Sequence, residues 1–141
     1  MNYLLDTCVI SELVKKRPNR RVAKWVRDQD EENLFLSVIT IGEIQKGIFK
    51  LPDAEKRKEQ LQKWLHSELR ERFVGRILDI TLETAFVWGQ VLGEGEKRGI
   101  ILPAIDSLIA AQGISRQMTV VTRNTADMEP SGALLFSPWI A

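Results

Sequence analysis

The sequence has few of the residues that build disulfide frameworks and zinc sites. Among its 141 residues there is one cysteine, Cys8, and one histidine, His66. A single cysteine excludes an intrachain disulfide, and this cysteine usage indicates a cytoplasmic protein. With no further cysteine or histidine to join them, a structural zinc site and a Cys/His nucleophilic dyad are both disfavoured.

Long apolar runs are missing as well. No stretch is long enough to span a bilayer, and the N-terminus lacks the residue order of a signal peptide. The hydrophobic fraction of 44% and the charged fraction of 28% are those of an ordinary globular protein. We therefore expect one domain over residues 1–141, in the cytoplasm and without a membrane partner.

The formal net charge of +1 conceals an uneven distribution of basic residues. They form two clusters, Lys15, Lys16, Arg17, Arg20, Arg21, Lys24 and Arg27 in the first, and Arg70, Arg72 and Arg76 in the second. A basic rim around an acidic centre would attract a polyanionic substrate. The alternative is that these side chains form solvated helix faces.

Short apolar strands alternate with amphipathic helices along the chain. Strands are predicted at Tyr3–Leu5, Leu34–Val38, Ile77–Ile80, Thr119–Val121 and Leu134–Phe136. Helices are predicted at 8–14, from 18 onwards, and at 40–49, 53–72, 81–97 and 103–112. The alternation predicts an α/β fold, a three-layer α/β/α sandwich with a central, mostly parallel sheet.

Acidic side chains occur where strands end or helices begin, at Asp6, Glu43 and Asp106. Because the carboxyl ends of parallel strands converge on one crevice, these side chains are expected to meet there. Carboxylates that converge without cationic partners repel one another and need a bound cation. Hard oxygen ligands favour Mg²⁺ or Mn²⁺ over zinc.

Two of these acids have an alternative structural interpretation. Asp6 can cap the helix that follows it, although Thr7 can cap equally well and would leave Asp6 free. Glu43 completes a capping-box pattern with Thr40, in which its carboxylate would fold back onto the helix N-terminus. The sequence does not choose between capping and catalysis for Glu43.

Asp106 has the most informative surroundings. It lies in a helix that is apolar around most of its circumference, and Leu102, Ile109 and Ala110 share its face. Burying an unpaired carboxylate costs several kcal/mol in order of magnitude, and no Lys or Arg lies within one turn. A metal ion, or protonation of the acid, must offset that cost.

Asn124 and Asp127 follow the last clear strand and compete for a fourth position in the site. Both residue types are ordinary turn formers. Asn124 belongs to the run Thr122-Arg123-Asn124, which can bind a phosphate or a metal-bound water.

Five segments, taken in order, resemble the PIN domain family. They are Leu4-Leu5-Asp6-Thr7, Ser11-Glu12, Thr40-Ile41-Gly42-Glu43-Ile44, Asp106-Ser107-Leu108-Ile109-Ala110-Ala111 and Thr122-Arg123-Asn124. The chain is most similar to VapC-type toxins of type II toxin–antitoxin modules, including the FitB-like branch. The likeness extends to Ser137-Pro138-Trp139, which resembles the closing Asn-Pro-Trp of that family.

This resemblance implies a Mg²⁺- or Mn²⁺-dependent endoribonuclease, in which metal-activated water hydrolyses RNA phosphodiester bonds. Asp6 and Asp106 match the metal ligands, Glu43 the third catalytic acid, and Asn124 stands near the fourth, acidic position, where Asp127 can substitute. The implied partners are RNA, a cognate antitoxin that enters a groove near the site, and a second copy in a homodimer. Operator DNA would be bound only through the antitoxin.

Two other functions remain open from the sequence. A haloacid-dehalogenase-type phosphatase also begins with a strand ending in Asp, but it needs a second Asp where this chain has Cys8. A non-catalytic PIN-like scaffold that binds nucleic acid or a partner protein would keep the fold without turnover.

Overall fold

A parallel sheet lies at the centre of the molecule. The computed structural model describes residues 1–140, and Ala141, the last residue of the predicted domain, lies outside them. Within that range five strands pair in parallel in the order β3-β2-β1-β4-β5. They are β1 Tyr3–Leu5, β2 Leu34–Ser37, β3 Ile77–Leu78, β4 Thr119–Val121 and β5 Leu135–Phe136.

Helices cover both faces of this sheet. They are α1 Thr7–Leu13, α2 Arg20–Asp28, α3 Val38–Phe49, α4 Lys56–Lys63, α5 Arg70–Arg72, α6 Leu82–Lys97, α7 Ala104–Ser115 and α8 Thr125–Met128. Alternate strand residues face opposite layers, as the two-residue period of a strand requires. Leu5 and Val121 pack in the core beneath α1, α2 and α3, whereas Leu4 and Val120 pack beneath α7 and α8. The predicted three-layer α/β/α sandwich is confirmed.

The strand order reverses next to β1. The chain builds β1, β2 and β3 outward in one direction, then returns to place β4 on the other side of β1. In an open parallel sheet, the crevice at such a switch point is where ligands bind. The carboxyl ends of β1 and β4 therefore define the place to look for a site.

Two predicted element boundaries, the start of α3 and the end of β3, were wrong. The helix predicted from Thr40 begins at Val38, because the Ser37 hydroxyl caps it by accepting a hydrogen bond from the Ile39 amide at 3.1 Å. The third strand stops at Leu78 rather than Ile80. The Gln112 side chain donates to the Leu78 carbonyl at 3.0 Å and to the Asp79 carbonyl at 3.2 Å.

The long helix predicted over Asp53–Arg72 is shorter and interrupted. It begins at Lys56, and Asp53, which lies before the helix, forms an ion pair with Lys58 at 2.6 Å. Residues Trp64–Leu69 form a π-helical segment between α4 and α5. Within residues 1–140 no helix combines the length and the apolar character needed to cross a membrane.

The helix predicted to stop before Gly113 continues through it to Ser115. Gly113 faces β4, and a side-chain carbon there would lie 2.6 Å from a Val120 methyl group. The missing side chain serves the close packing of α7 on β4. The sequence suggested a helix end because glycine often follows a helix.

Candidate active site

Asp6 lies at the switch point, at the carboxyl end of β1. Its amide donates to the Val121 carbonyl at 2.9 Å, and its side chain is 3% exposed. One carboxylate oxygen accepts from the Thr7 amide at 2.8 Å, and the other accepts from the Thr122 hydroxyl at 2.7 Å. Of the two candidate caps, Asp6 is thus the N-cap of α1 rather than Thr7. Capping by one oxygen leaves the other facing the end of β4.

Burial is the main influence on the ionisation of Asp6. It raises the pKa of Asp6, the hydrogen bonds from Thr122 and Thr7 act in the opposite direction, and the charge of Glu43 adds to the increase. The nearby Cys8 thiol lies 3.6 Å from an Asp6 oxygen. Burial and the Asp6 charge raise the pKa of Cys8 to about 11, so its thiol stays neutral near pH 7.

Glu43 does not form the capping box that its spacing with Thr40 suggested. Ser37 caps α3, and Thr40 is fully buried one turn inside that helix. The Glu43 carboxylate instead accepts a hydrogen bond from the Thr7 hydroxyl at 2.6 Å, and that hydroxyl lies 3.0 Å from the Thr40 hydroxyl. Thr7 therefore links α1 to α3 and orients Glu43 beside Asp6.

Asp106 lies in the first turn of α7 and is half-buried. Within residues 1–140 its carboxylate has no hydrogen bond and no ion pair. Burial raises the pKa of Asp106, and the charges of Asp6, Asp127 and Glu43 raise it further, in that order. The Asp106 carboxylate thus lies in the electrostatic field of three other carboxylates from different parts of the chain.

The two residues that competed for a fourth position differ in their surroundings. Both are exposed. The backbone amide of Asn124 donates to the Thr122 hydroxyl at 2.9 Å, but its side chain makes no capping bond to α8. Asp127, in the first turn of α8, contributes the charge that reaches Asp106.

Sequence reasoning missed the hydroxyls of Thr7 and Thr122, which hold Glu43 and Asp6. Each threonine directly follows a strand end or the acid at that end. Hydroxyl groups at parallel strand ends were therefore a usable signal.

Asp6, Glu43 and Asp106 retain accepting capacity that suits a hard cation. Asp6 accepts hydrogen bonds on both oxygens, Glu43 accepts one, and Asp106 accepts none. A carboxylate offers about four acceptor positions, so each of these side chains keeps oxygen lone pairs that could bind a metal ion. Across residues 1–140 no three His, Cys, Asp or Glu side chains are already grouped as metal ligands, so these acids would have to move closer together to share one ion.

The second basic cluster does not contribute a free rim. Arg72 forms an ion pair with Glu31, and Arg76 donates to the Glu31 and Leu34 carbonyls at 2.6 Å. These contacts lie at the start of β2. The amino ends of the parallel strands lie there, whereas Asp6 lies at their carboxyl ends. The expectation of a rim is therefore wrong for Arg72 and Arg76.

An apolar groove of about 290 Å³ opens beside the carboxylates. It extends from Thr7 and Glu43 along α3 to Ile48, Leu61 and Trp64. Its lining is apolar except at the end that meets the site, which suits a peptide segment with a hydrophobic face.

Comparison with known proteins assigns the arrangement to a family. The sequence pattern of the PIN domain matches residues 3–128. The VapC ribonuclease Y4jK of Sinorhizobium fredii is 34% identical, covering 96% of this chain and 96% of that protein. The toxin FitB of Neisseria gonorrhoeae is 34% identical, covering 96% and 97%. The solved structure of FitAB bound to the IR36 DNA fragment superimposes with a TM-score of 0.91 at 34% identity, covering 97% of this chain and 95% of that one.

Proposed function

This chain belongs to the PIN domain family, and we propose that it is a metal-dependent endoribonuclease acting as the toxin of a type II toxin–antitoxin module. The observation that carries the proposal is Asp106, an unpaired, half-buried carboxylate in the field of three others. Such a group is costly to keep unless it binds a cation. RNA is the proposed substrate because the similar protein Y4jK is a VapC ribonuclease.

Asp6 and Asp106 are the proposed ligands of a Mg²⁺ or Mn²⁺ ion. A divalent cation bound there supplies the positive charge that polarises a phosphodiester and lowers the pKa of water. The Thr122 hydroxyl and the Thr7 amide fix the orientation of Asp6. Glu43, oriented by Thr7, has a free oxygen that can accept a proton from the attacking water.

The fourth position is proposed for Asp127 rather than for the Asn124 side chain. Asp127 adds negative charge near Asp106, whereas Asn124 contributes its backbone amide to Thr122. The neutral thiol of Cys8 is a poor nucleophile, which is consistent with attack by water.

The proposed partners follow from the surfaces around the site. A segment of a cognate antitoxin would fill the groove between Glu43 and Trp64 and block access to the carboxylates. Operator DNA would be bound through that antitoxin, in keeping with a complex such as FitAB on DNA. A second copy of the chain would complete a homodimer, and the cytoplasm is the proposed compartment because the substrate is cellular RNA.

The test is cleavage of RNA in the presence of Mg²⁺ by the Asp106→Asn variant. We expect activity to fall by more than about 100-fold, beyond the 10–100-fold typical of a residue that only supports a ligand. Circular dichroism should show an unchanged fold, because the substitution removes a repelled charge.

The matched control is Asp30→Asn, which changes an exposed acid at the opposite edge of the sheet. It should cleave like the parent. Parent-like cleavage by Asp106→Asn would reject the site. Absence of Mn²⁺ binding in calorimetry would favour the non-catalytic scaffold.

A further inference from the structure

Trp139 contacts two arginines that are far apart in the sequence, Arg21 and Arg123. The guanidinium carbon of Arg123 lies 5.5 Å from the centre of the Trp139 ring. Arg21, on α2, donates from Nη1 to the Trp139 carbonyl at 3.3 Å. Trp139 packs against the core and is preceded by the buried Pro138. Its contacts therefore restrict the positions of both arginine side chains.

The backbone of Arg123 lies next to Asp6. It follows Thr122, whose hydroxyl donates to Asp6, and its own amide donates to the Cys8 sulfur at 3.4 Å. Its charge also contributes to lowering the pKa of Glu12, although Lys15 and the Asn19 amide are the main causes there. The backbone of Arg123 thus lies at the candidate site, while its guanidinium lies against Trp139 and within reach of the Glu12 charge on α1.

Both guanidinium groups remain available to a ligand. Arg21 and Arg123 are exposed, and within residues 1–140 neither forms an ion pair. Arg72 and Arg76 differ from them, because both form ion pairs with Glu31. A guanidinium stacked on an aromatic ring keeps its N–H groups free at the edge, where they match the oxygens of a phosphate.

The carboxylates themselves create the need for such groups. Asp6, Glu43, Asp106 and Asp127 repel a polyanion, so a nucleic acid strand requires positive charge close to the point of cleavage. We propose that Arg21 and Arg123, fastened by Trp139, bind phosphate groups of a single RNA strand next to the scissile bond. This inference rests on the proposed ribonuclease function and identifies where its substrate is held.

The experiment measures binding of a fluorescently labelled single-stranded RNA in EDTA, where metal-dependent cleavage cannot occur. Affinity is followed from about 50 to about 200 mM NaCl for the parent, Arg21→Gln, Arg123→Gln and Arg123→Lys. Each glutamine variant should bind more weakly and reduce the slope of log affinity against log salt by about 0.7. Arg123→Lys should keep the parent slope, because the charge remains, but bind more weakly, because the planar fork is lost.

Arg116→Gln is the matched control. Arg116 is an exposed arginine that caps the far end of α7, at the opposite edge of the sheet, and its loss should leave the slope unchanged. With Mn²⁺ present, Arg123→Gln should raise KM for RNA cleavage more than it lowers kcat. Its Mn²⁺ affinity should equal that of the parent.

The outcomes separate this inference from the proposed function. If the parent binds RNA and both glutamine variants keep its slope and affinity, the arginine pair faces a protein partner instead, and only this inference fails. If the slope changes as expected but no Mn²⁺ binds, the nuclease proposal fails and the RNA-binding pair stands. If the parent does not bind RNA at the lowest salt, this inference fails, and the proposed function is decided separately by Mg²⁺-dependent RNA cleavage.

Discussion

Asp106 shows how a single residue can be placed for function at a cost to the folded chain. Its carboxylate has no partner within residues 1–140, and burial and three acidic neighbours raise its pKa above the ordinary value of 3.8. The folded chain therefore binds more protons than the unfolded chain between that value and the raised pKa. Over that window the free energy of unfolding falls as pH rises.

We predict that Asp106→Asn removes this part of the pH dependence. In metal-free buffer the free energy of unfolding of the variant, minus that of the parent, should increase from about pH 4 upward and level off above the raised pKa. Urea denaturation at a series of pH values measures it. Added Mn²⁺ should stabilise the parent more than the variant, and a pH-independent difference would contradict the assignment.

At this scale the sequence was enough to select the acids as candidates but not to predict their hydrogen bonds. The apolar neighbours of Asp106 and the strand before Asp6 are local signals, so both acids could be selected as candidates. The bond from Thr7 to Glu43 joins positions 36 residues apart, and no local pattern encodes it. The capping box of Thr40 was a local pattern that Ser37 overrode.

Among the elements, α7 is set by how closely it approaches β4. Gly113 lies within this helix, where glycine costs stability relative to alanine. Glycine at this position allows α7 to approach Val120 closely, and that packing also positions the helix that carries Asp106. A fold-level need therefore outweighs a local helix preference.

We predict that Gly113→Ala destabilises the chain by about 1–3 kcal/mol, the cost of overpacking a core contact. Gly89→Ala in α6 is the control, because a side-chain carbon there meets nothing within 4 Å. Gly89→Ala should stabilise by up to about 1 kcal/mol. The urea midpoints of both variants and the parent measure these changes in stability. Equal effects of the two substitutions would contradict the close packing of Gly113 on Val120.

Element prediction succeeded where hydrophobic periodicity was strong. The alternation of short apolar strands and amphipathic helices was enough to derive the three layers. The exact ends depended on tertiary contacts, such as the Gln112 side chain that occupies the carbonyls after β3. The π-helical segment from Trp64 to Leu69 had no counterpart in the sequence pattern.

At the scale of the whole molecule, large apolar side chains are exposed on one face of α6. Leu82 and Phe86 lie one turn apart on α6 and are 73% and 66% exposed. Exposed aromatic and aliphatic groups of this kind are typical of protein interfaces. They support the proposed homodimer.

We predict that the parent sediments as a dimer and that Phe86→Glu sediments as a monomer, because the buried charge would lack a partner. Val74→Glu is the control, since Val74 is 77% exposed and lies before β3, away from α6. It should remain dimeric. A dimeric Phe86→Glu variant would place the interface elsewhere.

The strand order also has a consequence for protein synthesis. Asp6 is made early, but the hydroxyl that orients it belongs to Thr122, 116 positions later. Until β4 has paired with β1, the sheet is incomplete and Asp6 is held only by its local bond from the Thr7 amide. A chain that stops before that strand therefore lacks both β4 and the hydroxyl that holds one Asp6 oxygen.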